Sequence, residues 1–217
     1  MLIGMPAYDA VDMLDVAGPF EMFSWAGLAV ELVAEKSGPL KFRNGFSFNV
    51  DKTFGEAGAW DVLWVPGGDQ AALVKLMSDP RRTYLDFLIR QSEHVKYVAS
   101  VCDGALLLAA AGLLDGYTVT THWAFVPCLK GHPKVRVADG YPRYCLDRNR
   151  LTGGGISPGL DEALMLVQLL MGTQAAQAVQ CNTQYYPCPP VTSEITPATE
   201  CPLPPTTIAP RKTTTPR

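Results

Sequence analysis

The sequence has few charged residues and no segment suited to crossing a membrane or binding nucleic acid. Charged side chains make up 18% of the 217 residues and the net charge is -3, so no strongly basic face is available for phosphates. No run of about 18 apolar residues occurs, and the N-terminal MLIGMPAYD lacks the basic and apolar segments of a signal peptide. We therefore expect a cytoplasmic protein that binds neither nucleic acid nor a membrane.

Cysteines and histidines are too scattered to predict a metal site or a disulfide framework. The six cysteines include no CxxC pair, and only three histidines occur. A chain of this length that is 47% hydrophobic buries enough apolar surface to fold without disulfides. We expect no bound metal and no other cofactor, although Cys188 and Cys201 could oxidise adventitiously.

The length suits one domain followed by a tail of different composition. Residues 1–186 carry alternating strand and helix patterns, whereas residues 187–217 are dominated by proline and threonine. Such a segment cannot form a helix or bury much surface. We expect an α/β domain over residues 1–186 and an extended or disordered tail over residues 187–217.

Strand and helix patterns alternate through the predicted domain. Apolar runs that stop at turn residues predict buried strands, for example over residues 61–65 and 97–101. Helical spacing follows, and residues 104–114 form the strongest helix-favouring run. Asn44-Gly45 between alternating residues predicts a small side hairpin. This order indicates an α/β fold with a doubly wound parallel sheet and helices on both faces.

Cys102 lies between a predicted buried strand and the N-terminus of a predicted helix. The first amides of a helix stabilise negative charge, which gives such a cysteine thiolate character, although it could also be a small buried residue that fills space. Gly104, two positions on, and the VPGG turn of a neighbouring strand would let backbone amides converge beside the sulfur. Because doubly wound sheets bind ligands at the carboxyl ends of their strands, we expect a site here.

Two other polar residues are candidates at the same sheet edge. Asp15 precedes an apolar helix and is either an ordinary N-cap or a proton-transfer group. His122 follows the strand pattern TVTT and would join the substrate-binding residues. His94 and His132 lie in polar loops, where surface positions are expected.

Several sequence blocks resemble the ThiJ/PfpI superfamily, namely LDVAGPFE, LWVPGG, SVCDGALLLAAAGLLDG, TVTTHWAF and RLTGGGISPGLDEAL. Within it the chain is most similar to the isocyanide (isonitrile) hydratases, through LTGGGI and QYYPCPPV. The resemblance runs from Met1 to about Val191. It implies a flavodoxin-like fold of the class I glutamine amidotransferase type, a homodimer, and a catalytic cysteine on a strained nucleophile elbow.

The same resemblance implies a role for each site residue. Cys102 would attack the terminal carbon of a small isocyanide and form a covalent thioimidate. Asp15 would act as general acid and base, so that water releases an N-formamide. The amides of Gly68 and Asp103 would cradle negative charge, and the backbone near Ile156 would border the sulfur.

Two features depart from the hydratase pattern. Asp103 stands where these hydratases usually carry Thr, and a carboxylate there opposes ionisation of the thiol and shares protons with Asp15. Asp103 could therefore alter the substrate or take over the proton transfer. The Pro/Thr tail replaces the helices that strengthen the dimer.

Two alternative functions stay open. One is a glyoxalase-like or deglycase-like enzyme that hydrates reactive carbonyls with a similar cysteine. The other is a non-enzymatic cysteine sensor of redox state or ligand, because AraC-type regulators contain a similar domain, although they add a helix-turn-helix region.

Overall fold

The computed structural model describes residues 1–211. Their strands are β1 Leu2–Pro6, β2 Ala29–Ala34, β3 Gly38–Lys41, β4 Ser47–Val50, β5 Lys52–Thr53, β6 Val62–Val65, β7 Tyr97–Ser100, β8 Thr118–Val119, β9 Arg136–Val137, β10 Tyr144–Asp147 and β11 Arg150–Gly153. Their α-helices are α1 Met13–Trp25, α2 Gln70–Ser78, α3 Thr83–Ser92, α4 Gly104–Ala110, α5 Val126–Lys130, α6 Pro158–Met171 and α7 Thr173–Asn182. None of these helices is both long and apolar enough to span a bilayer.

The central sheet has seven strands in the order β10-β11-β7-β6-β1-β2-β5. Neighbouring strands are parallel except β10, which pairs antiparallel with β11 at one edge. Helices α1, α6 and α7 contact one another on one face, and α2 to α5 form the group on the other. The predicted doubly wound α/β fold is confirmed, with the edge strand β10 as the one antiparallel exception.

The order of the strands places a topological switch point between β1 and β6. The chain passes from β1 to β2 and β5 on one side, then returns to β6, β7 and β11 on the other. Connections that leave in opposite directions open a crevice at the carboxyl ends of the two central strands, where such folds bind ligands. The predicted side hairpin is also confirmed, because β3 and β4 pair antiparallel outside the central sheet.

Two helix boundaries differ from the sequence prediction. Helix α1 begins at Met13 rather than at residue 18, because Asp12 caps it and its side chain accepts from the Leu14 N–H. Helix α4 ends at Ala110 rather than at residue 114, because Gly112 adopts a φ of +77° that turns the chain away. The helix that follows Cys102 is therefore short.

The strands that carry the site are buried on both faces, as their unbroken apolar runs predicted. Every residue of β6 is buried, and Trp64 packs edge-to-face on Phe23 of α1 with ring centroids 5.3 Å apart. Burying one such side chain stabilises a fold by about 2–3 kcal/mol. This packing fixes α1, and with it Asp15, against the end of β6.

The C-terminal segment, residues 187–211, forms neither a helix nor a strand but lies partly against the domain. A disulfide joins Cys201 to Cys128 of α5, with the two Cα atoms 4.6 Å apart. This corrects the expectation that the cysteines form no structural disulfide and that Cys201 would pair only adventitiously with Cys188. Since 73 residues separate the bonded cysteines, only the return of the chain across the domain could reveal the pair.

Candidate active site

Cys102 lies on a tight turn between β7 and α4. Its φ of +59° is in the left-handed region, which costs a residue with a side chain about 1–2 kcal/mol. Its N–H donates to the carbonyl of Gly154 at 3.0 Å. Its own carbonyl accepts from the Thr121 hydroxyl at 2.8 Å and from the His122 N–H at 3.3 Å. These contacts hold the sulfur at the carboxyl end of β7, as a nucleophile elbow requires.

Two glycines allow neighbouring turns to approach this elbow. A Cβ on Gly67 would lie 2.9 Å from the Cys102 Cβ and would overlap the Asp103 carboxyl group. A Cβ on Gly155 would lie 2.8 Å from the Cys102 sulfur and would overlap the His122 ring. Carbon atoms do not come this close, so any side chain at either position would displace the elbow.

Two buried carboxyl groups converge on the turn after β6. Asp15 Oδ2 accepts from the Gly67 N–H at 2.9 Å, and Asp103 Oδ1 accepts from the Gly68 N–H at 2.8 Å. The second oxygen of Asp15 has no hydrogen-bond partner among residues 1–211. Asp15 lies inside the first turn of α1, so its interpretation as the N-cap is wrong.

The position of the Asp103 side chain corrects the predicted cradle for negative charge. The resemblance assigned the amides of Gly68 and Asp103 to this cradle. In the structure the Gly68 N–H already donates to the Asp103 carboxyl oxygen, so it is not free to bind a developing charge on a substrate. The Gly68 N–H is occupied because the residue directly after Cys102 is an aspartate.

Burial determines the protonation of the site. Burial raises the pKa of the Cys102 thiol well above its ordinary value, Asp15 and Asp103 raise it further, and the Asp103 amide acts in the opposite direction. Burial also raises the pKa of Asp15 well above its ordinary value and raises the pKa of Asp103 to about 7. At neutral pH the site therefore holds a thiol and an Asp103 near the midpoint of its titration, while Asp15 keeps its proton to higher pH than an ordinary aspartate.

The elbow opens into a cavity of about 840 Å³. The predicted site residues that line it are Cys102, Asp103, Gly68, His122 and Ile156. Asp15 does not line the cavity, because it lies beneath the Gly67 turn and is fully buried. The volume suits a small organic molecule.

His122 faces this cavity as a neutral imidazole. Its Nδ1 accepts from the Ala124 N–H at 3.2 Å, which leaves the ring proton on Nε2. Burial lowers the pKa of His122, and the positive charge of Arg43 lowers it further. His122 therefore caps the short helix Trp123–Phe125 and also contributes to the cavity wall.

The sequence analysis missed an ion pair in the cavity wall. Asp12 Oδ2 lies 3.0 Å from an Arg43 guanidinium nitrogen, and both residues line the cavity. The Arg43 N–H donates to the Val11 carbonyl at 2.9 Å, which holds the side hairpin against the end of β1. The Asn44-Gly45 signal predicted the hairpin, but no spacing in the sequence shows that it delivers Arg43 to the site.

The other missed group is a buried carboxyl on α6. Both oxygens of Glu162 lack a hydrogen-bond partner among residues 1–211, and they occupy the space that Gly153 leaves by having no side chain. Burial raises the pKa of Glu162 well above its ordinary value, and Asp15 raises it further. Glu162 therefore keeps its proton to higher pH than an exposed glutamate. No group of three His, Cys, Asp or Glu side chains in the described part of the chain is arranged to hold a metal ion.

The fold and the site together define the class of protein. It is a flavodoxin-like protein in which a cysteine with a cavity-facing thiol lies on a strained elbow at the switch point of a doubly wound sheet, flanked by buried carboxyl groups. Residues 2–168 match the model of the DJ-1/PfpI family, and the chain belongs to this family. The resemblance to the ThiJ/PfpI superfamily is thereby confirmed.

Known relatives include an enzyme and a regulator. The isonitrile hydratase of Pseudomonas putida is 40% identical over 192 residues, which are 88% of this chain and 81% of that protein. The HTH-type transcriptional regulator GbdR of Pseudomonas aeruginosa is 31% identical over 138 residues, which are 63% of this chain but 35% of the regulator. The crystal structure of a ThiJ/PfpI family protein from Pseudomonas syringae has 34% identity and a TM-score of 0.80, and the match covers 88% of this chain and 77% of that one.

Proposed function

We propose that the protein hydrates isocyanides, R-NC, to N-formamides through a covalent thioimidate on Cys102. One observation carries the proposal: the Cys102 elbow opens into a cavity of about 840 Å³ and lies beside two buried carboxyl groups whose pKa values burial raises, that of Asp103 to about 7. The similarity to an isonitrile hydratase over most of the chain supports this substrate class.

The first step adds the thiol across the terminal carbon of the isocyanide. The sulfur of Cys102 bonds to that carbon, and one proton moves from sulfur to carbon, which gives R-N=CH-S-Cys102. Because the pKa of the thiol is raised, a carboxyl group has to take up its proton as the carbon–sulfur bond forms. The ionised fraction of Asp103, which lines the cavity, accepts the proton of the thiol and passes it to the carbon, while Asp15 behind the Gly67 turn exchanges protons with Asp103 rather than with the substrate.

The second step hydrolyses the thioimidate. A water oxygen bonds to the imidate carbon, and a carboxylate accepts one proton of the water and passes it to the imidate nitrogen, which gives R-NH-CH(OH)-S-Cys102. The carbon–sulfur bond then breaks, the hydroxyl proton moves to the sulfur, and the product is R-NH-CHO. One isocyanide and one water give one formamide, so the reaction requires only Cys102, carboxyl groups and water.

Asp103 has a larger role in this scheme than the resemblance assigned to it. Asp103 lines the cavity, whereas Asp15 lies behind the Gly67 turn. Because the pKa of Asp103 is about 7, this group can both accept and return a proton near neutrality. Hydratases with Thr after the cysteine use one aspartate for the proton transfer. We propose that in this chain Asp15 and Asp103 share it.

The homodimer and the cytoplasmic location stay predictions. Sedimentation of the purified protein tests the first. The Cys128–Cys201 disulfide counts against the cytoplasmic location, because reductants keep most cytosolic thiols reduced.

The function is tested by incubating the protein with a para-substituted phenyl isocyanide and measuring the formamide by liquid chromatography and mass spectrometry. We expect formamide from the wild type and a loss of about a thousandfold or more in Cys102→Ala, because the nucleophile is removed. Cys145→Ala is the matched control, since this free cysteine lies outside the cavity, and it should keep full activity.

Other outcomes contradict the proposal. Lactate formed from methylglyoxal without formamide from any isocyanide would indicate hydration of carbonyls instead. Turnover of neither substrate, together with oxidation of Cys102 by mild peroxide, would indicate a sensor.

A further inference from the structure

The C-terminal segment returns to the domain and is bonded to it. Residues 201–209, here called the strap, begin with Cys201, which is joined by a disulfide to Cys128 of α5. Cys201 is exposed to solvent, so a reductant can reach the bond. The strap is therefore attached to the domain through a bond that can be opened without unfolding the chain.

The far end of the strap is held by the backbone of Ala209. Its N–H donates to the Met77 carbonyl at 3.1 Å, and its carbonyl accepts from the Arg82 guanidinium group. Ala209 and Arg82 are both buried, so water does not compete for these hydrogen bonds. The C-terminal end of the strap is thereby fixed beside α2 and α3.

Between its two ends the strap contacts the apolar core. Leu203 and Ile208 are partly buried against it, in a region that Leu106 of α4 and Met77 also line. The proline-rich sequence favours this arrangement, because proline has few backbone conformations to lose when the segment becomes ordered. The Thr206 hydroxyl donates to the Pro204 carbonyl at 2.8 Å and holds the local turn.

Pro204 brings the strap to the site. It lines the same cavity as Cys102 and Asp103, where it contributes to the wall together with Val74 and Ser78 of α2. Pro204 lies three positions after the disulfide-bonded Cys201 and precedes Pro205, so its position depends on where Cys201 is held. Part of one wall of the cavity, the part formed by Pro204, is therefore supplied by a segment outside the α/β domain.

We propose that the strap limits the size of the electrophiles that reach Cys102, and that reduction of the Cys128–Cys201 disulfide releases this wall and admits larger ones. A dithiol supplies the two electrons and two protons, becoming a disulfide itself, while Cys128 and Cys201 each become a thiol. Without the bond the strap keeps only its non-covalent contacts, and the effective concentration of Pro204 at the cavity falls. The inference rests on the proposed function in taking Cys102 as the reacting group.

The test compares the alkylation of Cys102 by a small and a bulky reagent. Iodoacetamide and N-(1-pyrenyl)maleimide are added at alkaline pH to oxidised and dithiothreitol-reduced protein, and modification of Cys102 is followed by peptide mass spectrometry. We expect the bulky reagent to react about tenfold faster or more after reduction, as a released segment loses its effective concentration, while the iodoacetamide rate changes little. Cys201→Ser should react like the reduced protein without any reductant.

The matched control is Cys188→Ser, since Cys188 is an exposed free cysteine of the same C-terminal segment. It should behave like the wild type in both redox states. A second variant, Pro204→Ala, removes the ring from the wall and leaves the disulfide in place, so it should also speed the bulky reagent in oxidised protein.

Several outcomes would overturn the inference. They are equal rates for the bulky reagent in both redox states, equal acceleration of both reagents, or an intact mass that shows Cys128 and Cys201 as free thiols in oxidised protein. A Cys102 that neither reagent modifies in either redox state would overturn it as well, because release of the strap would then give no reagent access to the sulfur. The assay needs no isocyanide, so failure to form formamide leaves its result interpretable.

Discussion

Replacing Asp103 with asparagine should remove a large part of the pH dependence of stability. Asp103 is buried, and burial raises its pKa from the ordinary 3.8 to about 7. A carboxyl group whose pKa is raised in the folded state binds protons more tightly there than in the unfolded chain. Its contribution to the free energy of unfolding therefore falls as the pH rises from its ordinary pKa to about 7, and is constant above that.

The size of this effect follows from the shift. Each unit of pKa difference corresponds to about 1.4 kcal/mol, so the rise from 3.8 to about 7 corresponds to about 4 kcal/mol of stability lost across this interval. In Asp103→Asn the side chain can still accept from the Gly68 N–H, but it does not titrate. The cost of burying the amide is the same at every pH and cancels when pH values are compared.

Urea unfolding followed by tryptophan fluorescence measures this difference, at one protein concentration and with the disulfide intact. The free energy of unfolding of Asp103→Asn minus that of the wild type should increase by up to about 4 kcal/mol from about pH 4 to about pH 8, and level off above the folded pKa of Asp103. If the two curves run parallel over this range, the Asp103 carboxyl group is not desolvated, and its assignment as a proton-transfer group near neutrality is wrong.

Two further substitutions test the packing around the elbow. Gly67→Ala should lower the free energy of unfolding by at least about 2 kcal/mol, because its Cβ would lie 2.9 Å from the Cys102 Cβ. Gly55→Ala, where the nearest atom is 3.7 Å away, should be nearly neutral. Thermal unfolding of both variants measures the difference, and equal losses of stability in the two would refute the argument. His122→Asn should keep the stability of the wild type, since asparagine is also a good N-cap, whereas His122→Ala should lose about 1 kcal/mol. A stability loss in His122→Asn equal to that of the alanine variant, measured by urea unfolding, would argue against the cap.

The sequence was informative where the structure depends on local order. The buried strand, the cysteine and the glycine that follow one another around Cys102 specify a strand-to-helix turn with little help from the rest of the chain. Alternation of strands and helices was enough to predict the doubly wound sheet, because parallel strands need crossover helices to cover both faces. The position of Asp15 at the sheet edge followed from the same rule.

The protonation of the site could be predicted only in part. The sequence indicated that the Asp103 carboxylate opposes the thiolate that a helix N-terminus favours, but burial, the largest cause of the raised pKa of Cys102, became visible only in the structure. Whether a charge is desolvated depends on how many elements cover it, and spacing along the chain does not reveal that. The Gly68 amide was misassigned for a related reason, since its partner, the Asp103 oxygen, is 35 residues away.

The sequence by itself determined the α/β architecture, the family and the cysteine elbow, because these depend on short-range patterns of apolar, glycine and turn residues. Only the tertiary structure showed that two residues from distant segments share the cavity with that cysteine and the predicted site residues. Arg43 arrives on the side hairpin, and Pro204 arrives on a segment held by a disulfide that spans 73 residues. Such long-range contacts depend on how distant segments of the chain pack together. No sequence pattern around Arg43 or Pro204 predicts them.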